Sequence, residues 1–197
     1  TARELSEFTD AVFYYCDVSV VEKIKEVFCQ VVERFGQVDI LINNAGIAIR
    51  DYISDITEAK WNRFNDINVK SVFFLSQIFA EQVREKGLSY SRIVNYCITK
   101  TAVNKITQTF AVSYGKYGLT SNAVALGFVT TPMTEHYFKD DPNFAETLRK
   151  HSPLGRAITT TEVAATVEFL LSQGAAAVNG QIIAIDGGGT CSEGNCA

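Results

Sequence analysis

Proline is scarce in this sequence: three residues in 197, at positions 132, 142 and 153. Everything before Pro132 is therefore free of the residue that most often breaks helices and ladders. Histidine is scarcer still, and His136 and His151 stand too far apart in sequence to form a ligand pair. The two read as surface residues, and no metal site is expected. No apolar run approaches the roughly 20 residues needed to cross a bilayer. The longest, Ser71 to Ala80, is interrupted by Ser76 and Gln77. Thr1-Ala2-Arg3-Glu4-Leu5 lacks the pattern of a secretory leader. Basic residues are scattered and fewer than acidic ones, giving a formal charge of −4, which argues against a nucleic-acid surface. Cys16, Cys29, Cys97, Cys191 and Cys196 have no regular spacing, as expected of reduced thiols in a cytoplasmic protein. Cys191 and Cys196 are close enough to bridge or to touch a metal, but no third ligand joins them.

What is present is an ordinary globular composition, 47% hydrophobic and 20% charged, sufficient for one substantial core. Ala11-Val12-Phe13-Tyr14-Tyr15-Cys16 is a continuous apolar run of the kind found in buried parallel strands. A helical stripe follows: Val20, Val21, Ile24, Val27, Phe28, Val31, Val32 and Phe35, with Ser19 as candidate cap and Gly36 as stop. Further strands are expected at Val38–Ile42, Arg92–Asn95, Thr120–Leu126 and Gln181–Asp186. Helices are expected at about 57–66, 69–86, 96–116 and 162–172. Strand and helix alternate throughout, which predicts one α/β domain over residues 1–197: a doubly wound parallel sheet, Rossmann-type, in three α/β/α layers.

Tyr96 and Lys100 carry the strongest chemical signal. On a helix, positions four apart share a face. A lysine ammonium beside a phenol favours the phenolate and lowers its pKa from the usual value of about 10. The pair then makes a usable general acid/base near neutral pH. Asn43-Asn44-Ala45-Gly46 follows the strand at Val38, at the carboxyl end where open α/β sheets bind ligands. Gly187-Gly188-Gly189 is not followed closely by a helix and reads as a turn rather than a phosphate loop. Cys97 reads as a small residue within its helix.

Taken together, these motifs resemble the short-chain dehydrogenase/reductase family over essentially the whole chain. Further matches are Asp17-Val18, Ile67-Asn68-Val69, Gly127-Phe128-Val129-Thr130-Thr131-Pro132-Met133, Pro153-Leu154-Gly155-Arg156, and Gly180-Gln181 through Asp186-Gly187-Gly188. The resemblance implies hydride transfer between NAD or NADP and an alcohol/carbonyl substrate. Tyr96 would exchange the proton at the substrate oxygen. Lys100 would tune Tyr96 and hold the nicotinamide ribose, and Asn68 would hold a water of the proton relay and interrupt its helix. Asp17 and Val18 would meet the adenine. Asn44, Ala45, Gly46 and Gly127 would line the cofactor, and Val129 and Thr131 would orient the nicotinamide. The implied substrate is a small molecule or an acyl-carrier thioester; general similarity leans slightly to a 3-oxoacyl-carrier-protein reductase, with a sugar or polyol dehydrogenase as the alternative. A non-catalytic scaffold is the rival of another class. A homotetramer packed through the helices at about 69–86 and 96–116 is also implied. Tyr137, Phe138 and Phe144 are candidates either for an apolar lid or for ordinary helix packing.

Three departures from the family pattern follow from the residues. No Gly-rich phosphate loop is present. In the usual strand order two strands would stand between the run at Ala11 and the strand at Val38, and their absence leaves a gap of about 14 Å. About 40 to 50 further residues would fill it. Nothing stands where the family has its catalytic serine. A connection of about a dozen residues is expected between Asn95 and Tyr96, which would then not be bonded neighbours. These gaps carry the expectation that the sequence records the ordered part of a longer chain. Leu126 replaces the family's proline, with a modest expected effect on the following loop.

Overall fold

A computed structural model of the chain describes residues 2–47, 55–88, 90–97, 100–132, 134–135 and 143–191, but not the side chains of residues 2, 95–97, 100 and 101. The expected elements at Tyr137, Phe138 and Cys196 lie outside the described residues.

A parallel sheet forms the centre, with strands β1 (Ile40–Asn43), β2 (Ser91–Cys97), β3 (Leu119–Leu126) and β4 (Ile182–Ile185) in the order β1-β2-β3-β4. The helices are α1 (Ala2–Leu5), α2 (Val21–Phe35), α3 (Glu58–Asn65), α4 (Ser71–Lys86), α5 (Lys100–Tyr114), α6 (Phe144–His151) and α7 (Thr160–Leu171). A π-helical turn, Asp66–Lys70, joins α3 to α4. Successive strand side chains point to opposite faces. Ile93 and Leu119 accordingly pack with Phe79, Ala80, Val83 and Phe110 of α4 and α5. Val94 and Val124 pack with Leu170 of α7 on the other face. The three-layer α/β/α expectation holds.

Three expected details are corrected. The Ala11–Cys16 run pairs with no strand among the described residues, and Phe13 and Tyr15 remain 73% and 82% exposed. An extended segment needs a neighbour at about 4.8 Å to form a ladder, and β1 offers its outer edge to none. Ser19 does not cap α2. Its amide and hydroxyl both donate to Asp17 Oδ1, at 3.0 and 2.6 Å, and Val20 occupies the cap position. The expected helix over 96–116 begins only at Lys100. Asn95 and Tyr96 are consecutive residues of β2, paired with Ala123 and Val124, so the ladder runs through the point where a connecting loop was expected. Each paired residue continues the hydrogen-bonded ladder, so the strand extends past Asn95.

α4 holds the entry to β1 through one side chain. Gln82 Nε2 donates to Val38 O at 2.8 Å, and Gln82 Oε1 accepts from Val38 N at 3.0 Å. Tyr114 of α5 donates from its hydroxyl to Glu81 Oε1 at 2.5 Å, and burial together with that carboxylate pushes its pKa up to about 12.

Gln82→Leu orphans both polar groups of Val38, and chemical denaturation should show a loss of about 2 kcal/mol. A phenol whose folded pKa exceeds its unfolded value stabilises the fold fully below about pH 10. That contribution should fade as pH rises toward about 12, and should be absent in Tyr114→Phe, as read by denaturation at stepped alkaline pH.

Candidate functional site

The candidate residues gather at the carboxyl ends of the strands, where an open α/β sheet leaves its crevice. β1 ends at Asn43, which is buried and donates from Nδ2 to Ser76 Oγ of α4 at 3.2 Å. Asn44, Ala45 and Gly46 follow as an exposed strip. Ile47 is then gripped by Asn68: Asn68 Oδ1 accepts from Ile47 N at 2.8 Å, and Asn68 Nδ2 donates to Ile47 O at 2.7 Å. Asn68 reproduces the donor–acceptor pair of a neighbouring strand. It is 6% exposed and sits in the π turn, where Ser71 N bonds back to Asp66 O and the Ser71 hydroxyl donates to Ile67 O at 2.5 Å. The expected interruption of the helix at Asn68 is thus a widened turn rather than a break. Its amide is committed to Ile47, so any hold on a relay water falls to the main chain, where a π turn shifts carbonyls out of the ordinary helical ladder.

Asp17 is exposed, and its carboxylate is held below the ordinary range by its bonds to Ser19, with Arg63 of α3 adding to the effect. Val18 beside it is half-buried. Gly127 lies against β4: its amide donates to Ile185 O at 3.0 Å, and a Cβ there would stand 2.8 Å from Asp186 Cα. The residue at 127 must be glycine for the two strand ends to pass. Leu126 continues the ladder opposite Ile185 and joins the core on the α7 face, so the site of the family's proline is a strand residue here.

The loop after Gly127 is tied down along its length. Thr130 N donates to Ile158 O at 2.9 Å and Ile158 N to Phe128 O at 2.8 Å, forming a bridge between Val129 and Ile158. Thr131 N donates to Thr134 Oγ1 at 2.9 Å, and that hydroxyl donates in turn to Val129 O at 2.6 Å. Phe144 is buried with its ring edge-on to Phe128, centroids 5.3 Å apart, so it packs as a core residue and not as a lid.

Tyr96 and Lys100 bracket the passage from β2 into α5, on two elements and not on one helix. Ile98 and Thr99 between them lie outside the described residues. The structure therefore brings together Asn44–Ile47 with Asn68, and Val129 with Thr131. It leaves Asp17 and Val18 on a separate loop.

Sequence reasoning missed a cavity of about 1000 Å³ beside Gly127 and Phe128, walled by Asn104, Ser152, Ile182 and Asp186. Of the cofactor read from the motifs, the residues present fit the two ends. The exposed Asp17 carboxylate suits the adenosine, and the open strip at 44–46 with the tied loop at 127–131 suits the nicotinamide. No residue of this sequence supplies the glycine-rich cradle for the pyrophosphate. Among the described residues no group of three or more His, Cys, Asp or Glu side chains is placed to hold a metal ion. No described helix is long and apolar enough to cross a membrane.

A family profile described as enoyl-(acyl carrier protein) reductase matches residues 1–190. Gluconate 5-dehydrogenase of Gluconobacter oxydans is 35% identical over 170 residues, 80% of this chain and 66% of that protein. The 3-oxoacyl-[acyl-carrier-protein] reductase of Thermotoga maritima is 34% identical over 188 residues, 89% of this chain and 75% of the relative. The chain thus spans slightly under two thirds of the first relative and three quarters of the second. Among solved structures, a gluconate 5-dehydrogenase from Burkholderia cenocepacia in complex with NADP and tartrate superposes with a TM-score of 0.86 at 28% identity, covering 97% of this chain and 80% of that one. The order of the motifs, the parallel three-layer sheet and these matches agree, and the chain belongs to the short-chain dehydrogenase/reductase family of nicotinamide-dependent oxidoreductases.

Proposed function

We propose that this chain interconverts a secondary alcohol and its carbonyl compound with NAD or NADP as hydride carrier. The supporting observation is the grip of buried Asn68 on Ile47, which holds the exposed strip Asn44–Gly46 at the carboxyl edge of the sheet. A nicotinamide bound there supplies the hydride acceptor or donor at carbon. Asp17 and Val18 meet the adenosine, and Asn44, Ala45, Gly46 and Gly127 line the cofactor's path. Val129 and Thr131, held by Thr134, orient the nicotinamide. In the oxidative direction Tyr96 would take the proton from the hydroxyl oxygen while hydride leaves the carbon bearing that oxygen for the nicotinamide, so one alcohol gives one carbonyl. Lys100 favours the phenolate and holds the ribose. Asn68 supplies the proton-relay water contact from its main chain. The substrate is a small alcohol or an acyl-carrier thioester, as the names of the two relatives suggest. The enzyme works in the cytoplasm as a homotetramer packed through α4 and α5, which present Phe73 and Val112 at 36% and 85% exposure.

The position of Tyr96 on β2 favours a second reading, a scaffold that has left catalysis. Fluorescence titration with NADH and NADPH separates the two, since the scaffold binds neither. In the enzyme, Tyr96→Phe should lower kcat by about 100-fold or more while the cofactor Kd stays within about twofold. Equal activity in Tyr96→Phe would remove Tyr96 from the chemistry.

A further inference from the structure

Asn104 occupies position i+4 from Lys100 on α5, so the two positions share a helix face. Its carboxamide oxygen is buried and has no hydrogen-bond partner among the described residues. The residue lines the cavity of about 1000 Å³ that opens beside Gly127 and Phe128. A buried acceptor without a donor bears its desolvation cost uncompensated, and native proteins keep few of them. A water or a ligand donor at this wall would remove the cost.

The surrounding chemistry narrows the donor. Ala125, Ile182 and Ala184 give the cavity an apolar floor. Its other polar wall groups are the oxygens of Ser152, Thr190 and Asp186 and the basic side chains of Lys150, His151 and Arg156. Ser152 is buried, and its hydroxyl reaches only Arg156 O, at a long 3.4 Å. Asp186 accepts from Gly188 N at 3.0 Å through Oδ1 and from Thr190 N at 2.7 Å through Oδ2. The cations at the rim are already paired, Arg156 with Glu162 and Lys150 with Glu146. The oxygens around Asn104 call for hydrogen-bond donors on a carbon skeleton, and the basic side chains on the wall suit an acidic group on the same skeleton. Hydroxyl groups meet that demand, and the methylenes of an acyl chain do not.

We infer that Asn104 is a specificity-determining residue, accepting a hydrogen bond from a substrate hydroxyl remote from the reacting carbon, and that the substrate is a polyhydroxylated acid or polyol. The inference rests on the oxidoreductase reading above and selects between its two substrate classes. A site built around such a bond discriminates against a substrate lacking the hydroxyl, because the acceptor is then buried unpaired.

The test compares D-gluconate with 5-hydroxyhexanoate, which share the carboxylate and a secondary alcohol at carbon 5 and differ in the remaining hydroxyls. Acetoacetyl coenzyme A serves as the acyl probe. Wild-type protein should show the higher kcat/KM on gluconate. Asn104→Leu should reduce the gluconate to 5-hydroxyhexanoate ratio by about tenfold or more, while Asn104→Asp, which keeps an acceptor, retains most of it. Because both substrates are measured on the same variant, partial misfolding cancels from the ratio. Titrated Kd values for NADH and NADPH should stay within about twofold of wild type in both variants. Thermal melting of Asn104→Leu should not fall, since no internal bond is removed. An unchanged ratio in Asn104→Leu overturns the inference, and with a lowered melting temperature it assigns Asn104 a purely structural role. Preference of the wild type for acetoacetyl coenzyme A or for 5-hydroxyhexanoate, or failure to turn over gluconate while binding a nicotinamide cofactor, overturns the substrate class alone. Failure to bind either cofactor overturns the oxidoreductase reading beneath it.

Discussion

The ladder between β2 and β3, from Ser91 opposite Leu119 to Cys97 opposite Ala125, is the constraint on which the remaining structure rests. Both helical layers take their packing from it. Ile93 and Leu119 meet Phe79, Val83 and Phe110 on one face, and Val94 and Val124 meet Leu170 on the other. Each of these side chains contributes about 1.5–3 kcal/mol by leaving water. A slip of one residue would move every one of them to the wrong face, so the register is strongly specified. That register also decides where β2 ends. Asn95, Tyr96 and Cys97 find partners in Ala123, Val124 and Ala125, and the strand continues as long as partners are available.

β1 lies beside this ladder with one outer edge open, and side-chain groups from the α3–α4 line stand in for a strand. Gln82 holds both polar backbone groups of Val38 at the entry. Ser76 accepts from Asn43 at the last residue of the strand. Asn68 holds both polar backbone groups of Ile47 beyond the exit. Two of these three residues are primary amides, which carry the donor and acceptor needed to replace a peptide neighbour. All three are buried, so each bond is made out of competition with water. The exposed strip at Asn44–Gly46 is stretched between the last two of these supports.

The layered fold was legible because strand and helix patterns alternate along the chain, with short apolar runs in β1 and β4 and a helical stripe for α2. The misread elements were those for which pairing outweighs pattern. Ala11–Cys16 has the composition of a buried strand, yet strand formation needs a neighbour, and composition does not reveal one. Tyr96 carries a helical motif four residues before Lys100, yet its backbone partners lie on β3 and not on its own helix. Ser19 has the right chemistry for a cap, but Asp17, two residues away, offers a shorter reach. At the site, the motif residues Asn68, Gly127 and Thr131 could be read from sequence order. Thr134 and Asn104 could not, because what marks them is a hydrogen bond made to a loop in one case and the lack of any partner in the other.

The two ends of the sheet treat buried polar groups differently, and the difference follows from what each end has to do. At the amino end Arg92 is 4% exposed, with its guanidinium 4.1 Å from the centre of the Tyr90 ring and Nη1 donating to Ser91 O at 3.1 Å. The Tyr90 hydroxyl donates to Leu171 O, in the last turn of α7, where the helix dipole is negative. No ion pair to Arg92 occurs among the described residues. Its charge is held by a π face and a carbonyl, both parts of the chain itself, while its Nε and the nearby hydroxyls of Ser91, Thr120 and Ser121 are buried with no partner among the described residues. At the carboxyl end the unsatisfied Asn104 oxygen instead lines a cavity, beside an aspartate and a serine. An unsatisfied atom sealed inside the sheet is closed to any ligand, whereas one on a cavity wall is open to it. A group that has to recognise a ligand must keep its hydrogen-bonding capacity for that ligand, and the carboxyl end is where an open α/β sheet leaves room for one.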